Sequence, residues 1–188
     1  PCLRINEFAA WSAGSSALLR NQDLSASDRH LVVSVGTGTS VLLADGLSAS
    51  RLGGTALGGG TVLGLGAALL SSQRFEEIAE LASRGDRRRV DLLVSDIYRA
   101  GEIPLASELT ASNFGRLGRD PAAATREDLA HAIMGLVGEN VALVCAGLSA
   151  AAQVPRIVFG GSTLRNNPAL VTILEQITAA MGREPVFL

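Results

Sequence analysis

Three glycine-rich turns stand where apolar runs end, at residues 36–40, 53–60 and 160–161. A strand that breaks into glycines lets backbone amides approach a phosphate with no Cβ in the way, and hydroxyls such as those of Thr37, Thr39 and Ser40 add donors. All sixteen basic residues are arginine. The absence of lysine removes a Walker-type phosphate loop, which ends in Gly-Lys-Ser/Thr, and with it Schiff-base chemistry. No Gly-x-Gly-x-x-Gly opens a helix, so a dinucleotide fold has no support. Phosphate chemistry in this chain must rest on backbone amides, hydroxyls and arginine.

Regular elements have to carry these turns. Glu7–Leu19, with Phe8, Trp11, Ser15 and Leu18 at helical spacing, predicts a helix that has Glu7 in its first turn. Leu31–Val35 and Val41–Ala44 predict a hairpin with a glycine-threonine tip, and Asp45-Gly46 turns the chain into a third strand leading to Arg51. The block 53–60 reads as irregular and Thr61–Ser72 as a buried helix, whose glycine amides would stand free to meet an anion. Phe75–Ser83 predicts an amphipathic helix in which Phe75 packs into the core with Ile78 and Leu81. Residues 84–89 predict a solvated arginine-rich connection, and Val90–Arg99 a further helix. After a loop around Pro104, Thr125 and Asp128 form a capping box for a long central helix ending near Ala151. Arg156–Phe159 is then a strand, 168–181 a helix and 185–188 the start of another strand.

Composition narrows the function classes. A chain of 188 residues, 47% hydrophobic and 18% charged, is globular with a well-filled core. A net charge of -2 without a basic stripe leaves no electrostatic footprint for nucleic acid. Residues 52–72 are uncharged and long enough to span a bilayer, but their seven glycines argue against a membrane span. Cys2 and Cys145 are not spaced as a metal knuckle and no secretory segment opens the chain, which fits a cytoplasmic location. His30 and His131 stand alone and are expected to be neither ligands nor bases.

Glycine turns at three strand ends, without a Walker lysine, point to a nucleotide cleft of the actin-like type. The motifs Val35-Gly-Thr-Gly-Thr-Ser40, Arg51-Leu-Gly-Gly-Thr-Ala-Leu-Gly-Gly-Gly-Thr61, Gly64-Leu-Gly66, Gly85-Asp86, Val90-Asp91, Asp96-Ile-Tyr98, Ala111-Ser-Asn-Phe-Gly115, Glu127-Asp-Leu-Ala130 and Phe159-Gly-Gly-Ser-Thr-Leu-Arg-Asn-Asn167 follow in one order. In that order the chain resembles the type II pantothenate kinases. The resemblance implies an α/β fold of the actin-like ATPase (ribonuclease H-like) kind, with mixed sheets flanked by helices. It also implies ATP-dependent phosphorylation of pantothenate with Mg2+, and a homodimer. Position by position, it makes Glu7 the base that takes the hydroxyl proton of pantothenate, and Thr37 and Arg51 the residues that hold that substrate. Gly36, Gly38, Thr39 and Ser40 match the second phosphate loop. Gly58, Gly59, Gly60 and Thr61 match the glycine segment beside nucleotide and substrate, and Gly160, Gly161 and Ser162 the adenosine-side turn. Phe75 matches an aromatic position near the substrate. No residue is assigned as a metal ligand.

The family's first phosphate loop, an Asp-x-Gly-Gly-Thr strand-turn, has no counterpart here, and neither does its glycine-alanine-rich C-terminal segment. Residues 1–188 are therefore expected to be a partial kinase domain, incomplete at both ends and of little activity alone. Two other readings compete. Another small-molecule kinase of the same superfamily is disfavoured by the run from Arg51 to Thr61 followed by Ser112–Gly115. A non-catalytic relative that binds CoA-type ligands would have no need of both Glu7 and Arg51.

Overall fold

The computed structural model describes residues 7–21, 29–46, 48–99, 102, 109–118 and 124–188; the loop around Pro104 and Cys2 lie outside them. Its centre is a five-stranded sheet made of β1 (His30–Val35), β2 (Thr39–Asp45), β3 (Ser48–Thr55), β6 (Arg156–Gly160) and β7 (Glu184–Phe187), in the order β3-β2-β1-β6-β7. The β1–β2–β3 meander is antiparallel, whereas β6 runs parallel to both β1 and β7. A second, two-stranded sheet pairs β4 (Leu92–Leu93) with β5 (Thr110–Ser112).

Alternation along the strands gives the sheet two apolar faces. Leu31, Val33, Val35, Val41, Ile157 and Phe159 point to one core, shared with α2 (Gly59–Leu70), α3 (Phe75–Ala82), α4 (Arg126–Ala152) and α5 (Pro168–Ala180). Phe159 also stacks on Phe187, with ring centroids 5.4 Å apart. Val32, Leu42, Ala44, Val158 and Val186 point the other way, where Trp11 and Leu19 of α1 (Glu7–Asn21) meet them. The layout is that of mixed sheets with helices on both faces, as the fold class requires.

α4 is the hub, packing against α2, α3, α5 and the sheet. Its Thr125 cap accepts from the Asp128 amide at 3.1 Å, while the Asp128 carboxylate returns a bond to the Thr125 amide. Interior glycines weaken an isolated helix by about 1 kcal/mol each relative to alanine, so Gly135 and Gly138 need a reason. A Cβ on Gly138 would come within 3.0 Å of Leu170 and Ile173 of α5, and one on Gly135 would meet the Arg87 side chain at 2.8 Å. Close approach is that reason. By length and composition α4 could cross a membrane, but 67% of its most apolar window is buried inside the protein, which is how a core helix behaves. The uncharged 52–72 stretch holds the twelve-residue α2 and the end of β3. Cys145 lies buried in α4, and burial pushes its thiol up to about 12.

Two expectations are corrected. β3 continues through Gly53 and Gly54 to Thr55, with a bulge opposite Val41 and Leu42, so the 53–60 block is regular at both ends. Glycine survives there because Leu148 of α4 covers Gly53 and the Thr39 carbonyl closes over Gly54. Residues 90–99 form β4 and one 3-10 turn (Val94–Asp96) in place of a helix. The Asp96 carboxylate takes the Leu93 amide at 2.8 Å and the Asp91 carboxylate takes the Phe114 amide at 2.8 Å; such side-chain bonds compete with a helix for the backbone. The helix expected over Glu7–Leu19 forms as α1, burying Ser12, Ser15, Ser16 and Leu19 and leaving Leu18 exposed.

Candidate functional site

At the C-terminal ends of the parallel neighbours β1 and β6 the chain leaves in opposite directions, to β2 on one side and to β7 on the other. Crevices in open α/β sheets form at such switch points. The three glycine turns converge on this one. The Gly36 carbonyl accepts from the Gly59 amide at 2.7 Å and from the Thr163 hydroxyl at 2.9 Å, and the Thr37 carbonyl accepts from the Gly60 amide at 2.9 Å. The Thr39 hydroxyl donates to the Leu57 carbonyl at 2.8 Å, and Thr61 takes the Gly58 amide at 3.3 Å. A Cβ on Gly58 would stand 2.7 Å from both the Gly36 and Thr37 carbonyls, and Gly161, at φ 125°, has the Val35 backbone where its Cβ would go. These glycines let three backbones touch.

Between these turns and α3 opens a cleft of about 360 Å³, lined by Gly36 and Thr37, Gly59, Gly60 and Leu63, Phe75 and Glu76, and Ser162 and Thr163. Contrary to the expectation from sequence, the amides of Gly59 and Gly60 are not free for an anion, because the turn 36–38 already uses them. Within the turn 36–38 the amides of Thr37 and Gly38 donate to no other described protein group. Phe75, expected in the core from its helical spacing and near the substrate from the resemblance, packs against the core and also lines the cleft.

The remaining predicted residues lie elsewhere. Ser40 pairs with Gly54, and Arg51 with Leu42, on the face of the sheet that α1 covers; the Arg51 guanidinium lies over Gly54. Glu7 opens α1 on that same side and lines a shallow apolar depression with Trp11, Leu18 and Leu188. Gly160 sits under the Trp11 ring and borders a further cleft there with Gly161, Ser162 and Arg165. The structure thus brings Thr37 and the glycine turns together and leaves Glu7 outside their cleft. The turn 36–38, at the end of the sheet, is the junction between the two sides.

Sequence reading missed a second polar centre. Arg87, expected in solvent with its neighbours, is buried to 12% exposure; its guanidinium donates to Glu139 at 2.6 Å and Thr110 at 2.9 Å, and lies 3.7 Å from Asp91. Glu139 also takes the Thr110 amide at 2.7 Å. Burial pushes the Asp91 carboxyl up from 3.8 to about 6, against the Phe114 amide and Arg87, which pull it down. At the start of α4, burial would raise Asp128, but the amides of Asp86 and Thr125 and the Thr125 hydroxyl hold it below the usual range. His131 meets the Gly85 carbonyl at 2.6 Å, and the buried His30 lies 3.4 Å from Ser15.

A mixed sheet flanked by helices, with glycine turns gathered at its switch point, is the architecture of an actin-like fold. Residues 11–182 match the Fumble family, and the chain belongs to that family. It is 35% identical over 184 residues to a type II pantothenate kinase of Oceanobacillus iheyensis, covering 98% of this chain and 68% of that protein. It is 36% identical over 182 residues to one from Staphylococcus aureus strain USA300, covering 96% and 68%, and 33% identical over 186 residues to one from Bacillus cereus strain G9842, covering 99% and 68%.

Proposed function

We propose that this protein transfers the γ-phosphate of ATP to pantothenate, giving 4'-phosphopantothenate in the first step of coenzyme A biosynthesis. The observation that carries the reading is the convergence of the glycine turns on Gly36 and Thr37 in a chain whose relatives are named for this reaction. ATP takes the cleft, with its phosphates toward the free Thr37 and Gly38 amides and its adenosine toward Gly160, Gly161 and Ser162. Pantothenate is held by Thr37 and Arg51 on the α1 side, and Glu7 on that side is the base. The pantothenate hydroxyl oxygen forms a bond to the γ-phosphorus as the bond from phosphorus to the β,γ-bridging oxygen breaks; the hydroxyl proton goes to Glu7 and ADP leaves.

Magnesium, which the family resemblance implies, would be held by the ATP phosphates and water with one or two carboxylates and needs no protein cage; among the described residues no group of three His, Cys, Asp or Glu side chains could hold a metal ion. A homodimer and a cytoplasmic location belong to the same proposal and rest on the family resemblance.

The test follows labelled γ-phosphate from ATP into pantothenate, with the family's first phosphate loop and its glycine-alanine-rich C-terminal segment joined to this chain. Glu7→Gln should lower kcat by roughly 10² to 10⁴ with ATP affinity unchanged, because it removes a base and keeps the shape. Arg51→Ala should lower kcat/KM for pantothenate by roughly ten- to a hundredfold. A kcat within about threefold of wild type for Glu7→Gln is far below the normal contribution of a general base and would remove Glu7 from that role. ATP binding without transfer would instead favour a relative that binds CoA-type ligands without chemistry.

A further inference from the structure

The cleft read as the adenosine end, about 440 Å³ beside Gly160, Gly161 and Ser162, has apolar walls that include Trp11, Val171 and Phe187, and one charged side chain, Arg165. Arg156, at the start of β6, pairs with Glu184 at 3.0 Å, whereas the exposed Arg165 guanidinium makes no hydrogen bond or ion pair with the described residues. Its backbone is held on both sides. The Thr163 hydroxyl binds the Gly36 carbonyl at 2.9 Å, the Arg165 amide donates to the Ser162 carbonyl at 3.2 Å, and the buried Asn167 caps α5 by taking the Leu170 amide at 3.3 Å. The Arg165 backbone is therefore fixed relative to the turn 36–38, where the Thr37 and Gly38 amides are free. Ser162 lines both this cleft and the one at that turn, so the two clefts meet there.

Apolar and aromatic walls accept a purine without telling one from another. Discrimination has to come from groups that meet the edge of the base, and a guanidinium meets it with five N–H donors and no acceptor. Guanine presents two acceptors side by side, O6 and N7, that match this fork, whereas adenine presents N7 beside an amino group that itself donates. No acidic or amide side chain lines the cleft to accept from that amino group, and the Ser162 hydroxyl stands where the cleft meets the phosphate end. We propose that Arg165 reads the N7 edge of the base, so that the site takes GTP as phosphate donor at least as well as ATP. The inference rests on the reading of Gly160, Gly161 and Ser162 as the adenosine end of the ATP site.

Calorimetric titration with ATP, GTP and inosine triphosphate reads this directly, on the chain joined to the two family segments as for the transfer assay. Wild type should bind GTP at least as tightly as ATP, and inosine triphosphate, which keeps O6 and N7, should follow GTP. Arg165→Ala should weaken GTP by roughly tenfold or more and ATP by less, because guanine loses a bidentate contact and adenine a single bond. Arg165→Gln is the sharper variant. A glutamine amide both donates to N7 and accepts from the adenine amino group, so this change should turn the preference to ATP by roughly tenfold. Because Arg165 is exposed and unpaired, both variants should melt with wild type, and that comparison controls for folding. A wild type that binds ATP more than about threefold more tightly than GTP, a loss of equal size for both nucleotides in Arg165→Ala, or a wild-type ratio in Arg165→Gln would overturn the inference while leaving the ATP site intact. Failure of wild type to bind any of the three nucleotides would overturn the ATP site itself.

Discussion

Two polar centres flank α2 and α3, and they are built on opposite principles. The cleft at the ends of β1 and β6 is made of backbone: carbonyls of Gly36 and Thr37, amides of Gly59 and Gly60, and hydroxyls of Thr39 and Thr163. The centre under α4 is made of side-chain ions, with Arg87 set between Glu139 and Asp91. Neutral backbone groups leave a cleft able to receive a highly charged ligand, whereas the ionic centre has spent its charges internally and fastens β5 to the middle of α4. Glycine supplies the space in both: Gly58 and Gly161 for backbone against backbone, Gly135 for an arginine stem against a helix.

The contrast breaks most visibly at Arg87. Arg87→Met leaves two buried carboxylates without a cation, and removing one partner of a buried pair costs about 3 to 5 kcal/mol. Urea unfolding should show that loss, and a change below about 1 kcal/mol would place Arg87 among surface pairs of little worth.

Next comes the pH dependence from Asp91. Its folded pKa of about 6 lies above an ordinary 3.8, so the folded protein holds an extra proton between those values. The stability this contributes is full below about pH 4 and is lost as pH rises through 6, a fall of about 3 kcal/mol. Asp91→Asn should abolish that fall, as measured by unfolding at a series of pH values from 4 to 7.

The smallest effect on stability, and the sharpest on the cleft, belongs to Gly58→Ala. The added methyl meets backbone, which has to shift, for about 1 to 3 kcal/mol. Because the displaced atoms belong to the turn 36–38, calorimetry should find ATP binding weakened as well, an effect that Arg87→Met should not share once folding is allowed for.

The backbone centre was largely legible in the sequence and the ionic one was not, and the reason is the range over which each is specified. The hairpin tip at 36–38 and the Thr125–Asp128 cap announce themselves within a few residues. Arg87 finds Glu139 fifty-two positions away, so an arginine-rich stretch that looks solvated hides one buried cation. Residues 90–99 were misread for the same reason, since Asp91 is held by the amide of Phe114, twenty-three positions on. Even in the cleft, residue types located the turns without showing which amides the turns use on one another.

The buried thiol of Cys145 gives the hub helix a clock. Alkylating reagents attack the thiolate, and a group that is both enclosed in α4 and pushed up to about 12 offers almost none while the helix is seated. With Cys2 replaced by serine, the rate of mass gain on exposure to iodoacetamide therefore counts the openings that lift α4 from the sheet. Because α4 joins the ionic centre to the helices that wall the cleft, slower labelling in the presence of ATP would report occupancy of the cleft through the breathing of a helix that does not line it.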